Sequence, residues 1–177
     1  MKQFSNEKSF TLVELLVSMF IIVLIAGVVF ANYRQGGQQF ALQRSVNKLA
    51  QDIRRAQAMA MGASEYQGSV PPRYGVEFTT DNPDYYILFA DNNDNGTYQS
   101  NPDVEVEKIP LEEGVRIFEL FTISPQTGLW ISFKSPDPIT EIRDPGGPRS
   151  LGGIRLIGAN NQTKTISVNA AGLIEIE

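Results

Sequence analysis

The stretch that decides the fold is Lys8–Arg34, "KSFTLVELLVSMFIIVLIAGVVFANYR". From Leu15 to Ala31 every residue is apolar or small, and Ser18 carries the only hydroxyl. The 22 residues from Phe10 to Ala31 make a helix of about 33 Å, enough to span a hydrocarbon core of ~30 Å. A soluble core helix would carry a polar face, and this one has none beyond its first turn. The run also contains one acid, Glu14. A carboxylate at the bilayer centre costs roughly 2.5–3.5 kcal/mol on insertion scales, so an acid here marks function by default. A cleaved secretory signal is the alternative, with Val29-Phe30-Ala31 suited to signal peptidase. The apolar region exceeds the ~7–15 residues typical of such signals.

Working outward, the chain of 177 residues allows one ordinary domain plus an appendage. Hydrophobic residues make up 42 %, which fits a folded protein. The formal net charge of −5 provides no global positive field to recruit nucleic acid. With no cysteine and no histidine, the composition excludes disulfides, thiolate chemistry, Cys/His zinc sites, a Ser-His-Asp triad and a histidine pH switch.

Beyond the apolar run, Gly36-Gly37 is a weak point where a helix bends or loosens. Helical periodicity then resumes. Leu42, Val46, Leu49, Ile53, Ala56 and Ala60 recur at steps of three and four, and Gln43, Arg44, Asn47, Lys48, Gln51, Asp52, Arg54 and Arg55 fall mostly off that stripe. Gly62 is a stop signal. From Tyr74 onward the period changes to two: "YGVEF", "YYILFAD", "VEVEKI", "GVRIFELF", "LWISFK", "GIRLIG", "KTISVN" and "LIEIE", separated by "DNPD", "NDNG", "SPQTG", "NNQ" and "NAAG". Closely spaced strands predict antiparallel meanders rather than βαβ units. Ser135–Ser150, "SPDPITEIRDPGGPRS", reads as a Pro/Gly-rich loop. The expected class is α+β, a long N-terminal helix with a membrane half and an amphipathic half packed on an antiparallel β-sheet domain.

"SFTLVELLVSMFIIVLI" resembles the class III signal of type IV prepilins and type II secretion pseudopilins. The resemblance implies a leader over residues 1–9, a transmembrane half over 10–31, an amphipathic half over 32–61 and a pilin-like β domain over 62–177. It implies cleavage by prepilin peptidase before Phe10 and methylation of the new amine. Ser9 stands where the family nearly always has glycine. Glu14 becomes the family's glutamate at mature position five, which neutralises a neighbouring subunit's amine during assembly. "LAQDIRRAQAMAM", "YYILFADNNDNGTY", "LEEGVRI" and "TISVNAAGLIEIE" are similar to GspH/FimT-type pseudopilins. The implied partners are prepilin peptidase, other pilin or pseudopilin subunits, the inner-membrane assembly machinery and the lipid bilayer. The implied location is the cytoplasmic membrane, single-pass, with the β domain outside the cytoplasm. The implied role is a structural, non-enzymatic minor subunit of a pilus-like or type II secretion pseudopilus filament. The alternatives are a FimT-type DNA-uptake minor pilin and a secreted β domain cut after Ala31.

Asp91, Asn93 and Asn95 followed by Gly96 match the first half of a D-x-N-x-N-G calcium loop. Position twelve would be Pro102, with Asp103 one place late. Asn-Gly also favours a hairpin turn, and the turn is the stronger expectation. No cofactor is otherwise implied. Glu105 with Glu107, and Glu112 with Glu113, are acid pairs with nothing for a catalytic site to converge on. DNA-binding FimT-type proteins use a basic C-terminal tail. Here Arg155 and Lys164 are balanced by Glu175 and Glu177, so the counterion-release term is small and nucleic acid is not an expected partner.

Overall fold

The computed structural model describes residues 11–137 and 139–177, without the side chains of 30–39. Helix α1 covers Leu12–Met61 and continues through Gly36 and Gly37. The chain divides into two compact units, Met1–Gly37 and Gln38–Glu177, at the diglycine.

In the first unit, Leu12–Val29 has a mean hydropathy of 2.9 and is 0 % buried. Apolar side chains exposed over that length have found no protein core within the unit, which is consistent with a single-pass membrane anchor.

The second unit begins with the amphipathic part of α1. All six residues of the stripe from Leu42 to Ala60 are buried, while Gln43, Arg44, Asn47, Lys48, Gln51, Arg54 and Arg55 are exposed. The helix ends at Met61, where the Gly62 amide closes on the Ala58 carbonyl at 2.9 Å. The strands are β1 (Arg73–Thr79), β2 (Tyr85–Asp91), β3 (Val104–Pro110), β4 (Arg116–Phe121), β5 (Pro125–Gln126), β6 (Gly128–Lys134), β7 (Thr140–Asp144), β8 (Gly147–Arg149), β9 (Leu151–Ile157), β10 (Thr163–Asn169) and β11 (Ile174–Ile176). They form two antiparallel sheets, ordered β3-β2-β1-β6-β7-β8 and β11-β10-β9-β4-β5. One core joins the helix stripe to both: Tyr74, Val76, Phe78, Leu88, Ile131 and Phe133 from the first sheet, and Ile117, Leu120, Ile154, Leu156, Ile166 and Val168 from the second.

Three features differ from the sequence reading. There are two sheets rather than one. The order is not a simple meander, because β1 pairs with β6 and β4 with β9 across long connections. The segment Ser135–Ser150 is not all loop: β7 and β8 lie inside it, with Ile142 buried against the core. Its proline and glycine signals are real, but they mark the tight turn between two short strands.

Two aromatic rings lie across glycines of the neighbouring strand. A methyl on Gly75 would stand 2.7 Å from the Phe89 ring, and one on Gly153 would stand 2.1 Å from the Phe121 ring. Only a residue without Cβ permits either approach. Polar links fasten the helix and the sheets. Tyr86 on β2 donates to Asp52 on α1 at 2.6 Å, and Arg55 reaches Glu107 on β3 at 2.5 Å. Asp144 on β7 is buried and accepts from Thr122, just past β4, at 2.7 Å, tying the two sheets together.

Candidate functional site

The start of α1 is organised by Thr11. Its hydroxyl accepts the Glu14 amide at 3.3 Å, and its carbonyl accepts the Leu15 amide at 3.2 Å. Ser18 then donates its hydroxyl to the Glu14 carbonyl at 2.7 Å, so the one hydroxyl inside the apolar run is satisfied within the helix. Glu14 therefore sits in the first turn, where the helix dipole favours a negative charge. Its side chain stands exposed beside Leu12, Val13, Leu15 and Leu16, all exposed themselves. This places a carboxylate within an apolar surface with no cation from the same unit against it among the described residues. Ser9 and Phe10, the expected processing pair, lie outside the described residues.

The second candidate is the connection between β2 and β3. It is no two-residue turn: residues 92–103 fold back over the outer face of the six-stranded sheet. Asp94 pairs with Arg73 at 2.5 Å and with Lys134 at 3.3 Å, Arg73 also lies 2.8 Å from Glu141, and Tyr98 packs on Phe89 with ring centroids 5.5 Å apart. Gly96 lies against Glu141 and Arg143. This cover explains why Arg73 and Gly75, on the side of β1 away from α1, are buried as well.

The structure brings Asp91, Asn93 and Asn95 together, and adds Asp103. Asp91 is fully buried and accepts the amides of Asn93 (3.1 Å), Asn95 (3.4 Å) and Gly96 (2.7 Å). The Asn93 side chain accepts the Asn95 amide at 3.1 Å, and the Asn95 side chain accepts the Thr97 amide at 2.8 Å. Asp103, also buried, accepts the amides of Asn92 at 3.0 Å and Gln99 at 2.9 Å. Burial pushes the Asp91 carboxyl up, with the Asp103 charge adding to it, against the pull of the Gly96, Asn95 and Asn93 amides. Burial also works to raise Asp94, but hydrogen bonds and charge from Arg73 and Lys134 outweigh it and hold Asp94 below the usual carboxylate range. These oxygens thus already shape the loop. Among the described residues, no group of three or more His, Cys, Asp or Glu side chains is placed to hold a metal.

Residues 4–30 match the prokaryotic N-terminal methylation motif. A prepilin-type signal for processing and methylation is therefore present. It heads a single apolar helix of membrane-spanning length and an antiparallel β domain, an arrangement consistent with the broad prepilin and pseudopilin superfamily. Comparison with curated proteins and with solved structures found no match. The motif frames Ser9, Phe10 and Glu14, the residues singled out from the sequence. Sequence reasoning missed Thr11 as the residue that starts the helix, although a threonine three places before an acid is a recognisable signal. It also placed Asp103 outside the loop that Asp103 in fact helps to close.

Proposed function

We propose that this protein is a structural subunit of a type IV pilus-like or type II secretion pseudopilus filament, stored in the cytoplasmic membrane before assembly. The observation that carries the reading is the methylation motif over residues 4–30, set on an apolar helix with no protein core of its own. Residues 1–9 are the leader, removed before Phe10 by prepilin peptidase, with methylation of the new amine. Residues 10–31 hold the subunit in the bilayer, 32–61 form the spine of the soluble part, and 62–177 form the domain outside the cytoplasm that sets partner choice. Glu14 neutralises the amine of a neighbouring subunit, since a charge that is costly alone in an apolar setting becomes tolerable when matched. The order of strand motifs supports a GspH/FimT-like minor subunit. Work of this kind is mechanical rather than catalytic.

The DNA-uptake alternative draws little support, because Arg143, Arg149 and Arg155 are each paired with an acid, namely Glu141, Asp144 and Glu119. The deciding experiment is mass spectrometry of the N-terminal peptide from native membranes. The expected chain begins at N-methylated Phe10; a chain beginning at Asn32 would overturn the reading in favour of a secreted domain. Ser9→Gly should raise the processed fraction.

A further inference from the structure

The start of α1 has the geometry of half a capping box. In such a box an N-cap Ser or Thr accepts the amide three residues on, and a Glu or Gln at that third position returns its side chain to the N-cap amide. Here the helix begins at Leu12, the Thr11 hydroxyl accepts the Glu14 amide at 3.3 Å, and Glu14 is the third helical residue. The flanking sequence fits as well: Phe10 and Leu15 occupy the two positions that form a hydrophobic staple around such a box. The half made by the Thr11 hydroxyl is formed; among the described residues the Glu14 carboxylate does not meet the Thr11 amide, and that reciprocal half is the inference.

The setting makes the box matter. The first amides of any helix lack intrahelical partners. Within hydrocarbon no water takes their place, and each unsatisfied group costs several kcal/mol. Glu14 faces the converse problem, a carboxylate in an apolar surface.

We propose that Thr11 and Glu14 form a capping box that closes the start of the membrane helix in the stored subunit, the Glu14 carboxylate accepting the Thr11 amide until a neighbour's amine claims it. One arrangement then satisfies two otherwise costly groups while the subunit waits. Thr11 is the positioning residue: its hydroxyl fixes the first turn and so fixes where the carboxylate stands. The hand-over to a neighbour rests on the filament reading; the box itself does not.

The test uses the full chain, Met1–Glu177, isotope-labelled in lipid nanodiscs, with amide hydrogen exchange read at Thr11 and Glu14. Thr11→Val, nearly isosteric but without the hydroxyl, should speed exchange at the Glu14 amide about fivefold, the loss typical of a removed N-cap. Thr11→Ser should restore protection. Glu14→Ala should speed exchange at the Thr11 amide. Glu14→Gln should leave it near wild type, because a capping box accepts glutamine although the charge is gone. An unchanged Glu14 amide in Thr11→Val, or a Thr11 amide equally unprotected in wild type and Glu14→Ala, overturns the proposal. These rates do not depend on filament formation, so a failure of the filament reading leaves them standing and is told apart by the N-terminal mass.

Discussion

Tyr86→Phe isolates the polar contact that fastens α1 to the six-stranded sheet. Asp52 is 9 % exposed, and the Tyr86 hydroxyl donates to it at 2.6 Å. Among the described ion pairs none involves Asp52. Deleting the hydroxyl removes one oxygen from a well-packed site and leaves a buried carboxylate without its donor. The first effect is small. The second dominates, because a hydrogen bond to a charged group contributes about 1.5–3 kcal/mol. At roughly 2–4 °C per kcal/mol for a chain of this size, thermal unfolding followed by circular dichroism in detergent should show a loss of about 3–12 °C. Asp52→Ala alone should also destabilise, but adding Tyr86→Phe to it should cost little more, since removing both partners is far less costly than stranding one. A coupling below about 0.5 kcal/mol in that cycle, the usual margin of additivity for independent sites, would refute the reasoning. The pH dependence is a second check. Burial, with the hydrogen bond and charge of Asp52, pushes the Tyr86 hydroxyl far above its ordinary value. Between the unfolded value of about 10 and the folded one, the native state holds a proton that the unfolded state has lost. Stability must therefore fall as pH rises above about 10, and Tyr86→Phe should flatten that fall.

Gly153→Ala should destabilise by about 1–3 kcal/mol, because the new methyl would stand 2.1 Å from the half-exposed Phe121 ring and force it aside; chemical denaturation should show partial rescue by Phe121→Leu. The Arg149 hydrogen bond, aided by Thr122 and the Gly146 amide, holds Asp144 below its ordinary range. That stability is present above the unfolded value of about 3.9 and is lost as pH falls through the folded one, so acid titration of Asp144→Asn should show a shallower loss than wild type. Glu14→Ala and Glu14→Gln should both leave insertion and cleavage intact yet lower the ratio of filament-associated to membrane-resident protein by about two to three and a half decades, as expected when a buried pair costing about 3–5 kcal/mol is broken; wild-type ratios in both would remove the intersubunit role. If Asp91, Asn93 and Asn95 bind calcium, millimolar calcium should raise the melting temperature by mass action, and Asp91→Asn should abolish the rise; no shift retires the site.

The elements legible along the chain are those that local periodicity encodes. The apolar run to Ala31, the buried stripe from Leu42 to Ala60, the helix end before Gly62 and the alternating strands all follow from spacing along one segment. Each is a property of a helix or strand that must bury one face. The signal around Phe10 and Glu14 was legible for the same reason, being a short contiguous motif. Tertiary structure alone decided which strands meet. Pairing β1 with β6 and β4 with β9 joins segments far apart in the chain, and periodicity says only that a strand has two faces, not which neighbour lies beside it. Strands β7 and β8 were hidden because Pro136, Pro138, Pro145 and Pro148 outweighed a three-residue alternation around Ile142. The loop after β2 shows the limit most clearly. Its Asp-Asn-Gly composition announced a turn. That it lies over Arg73, Gly75 and Phe89, with Asp103 returning beside Asp91, depends on side chains from β1, β6 and β7 that adjoin it only once the sheet has formed.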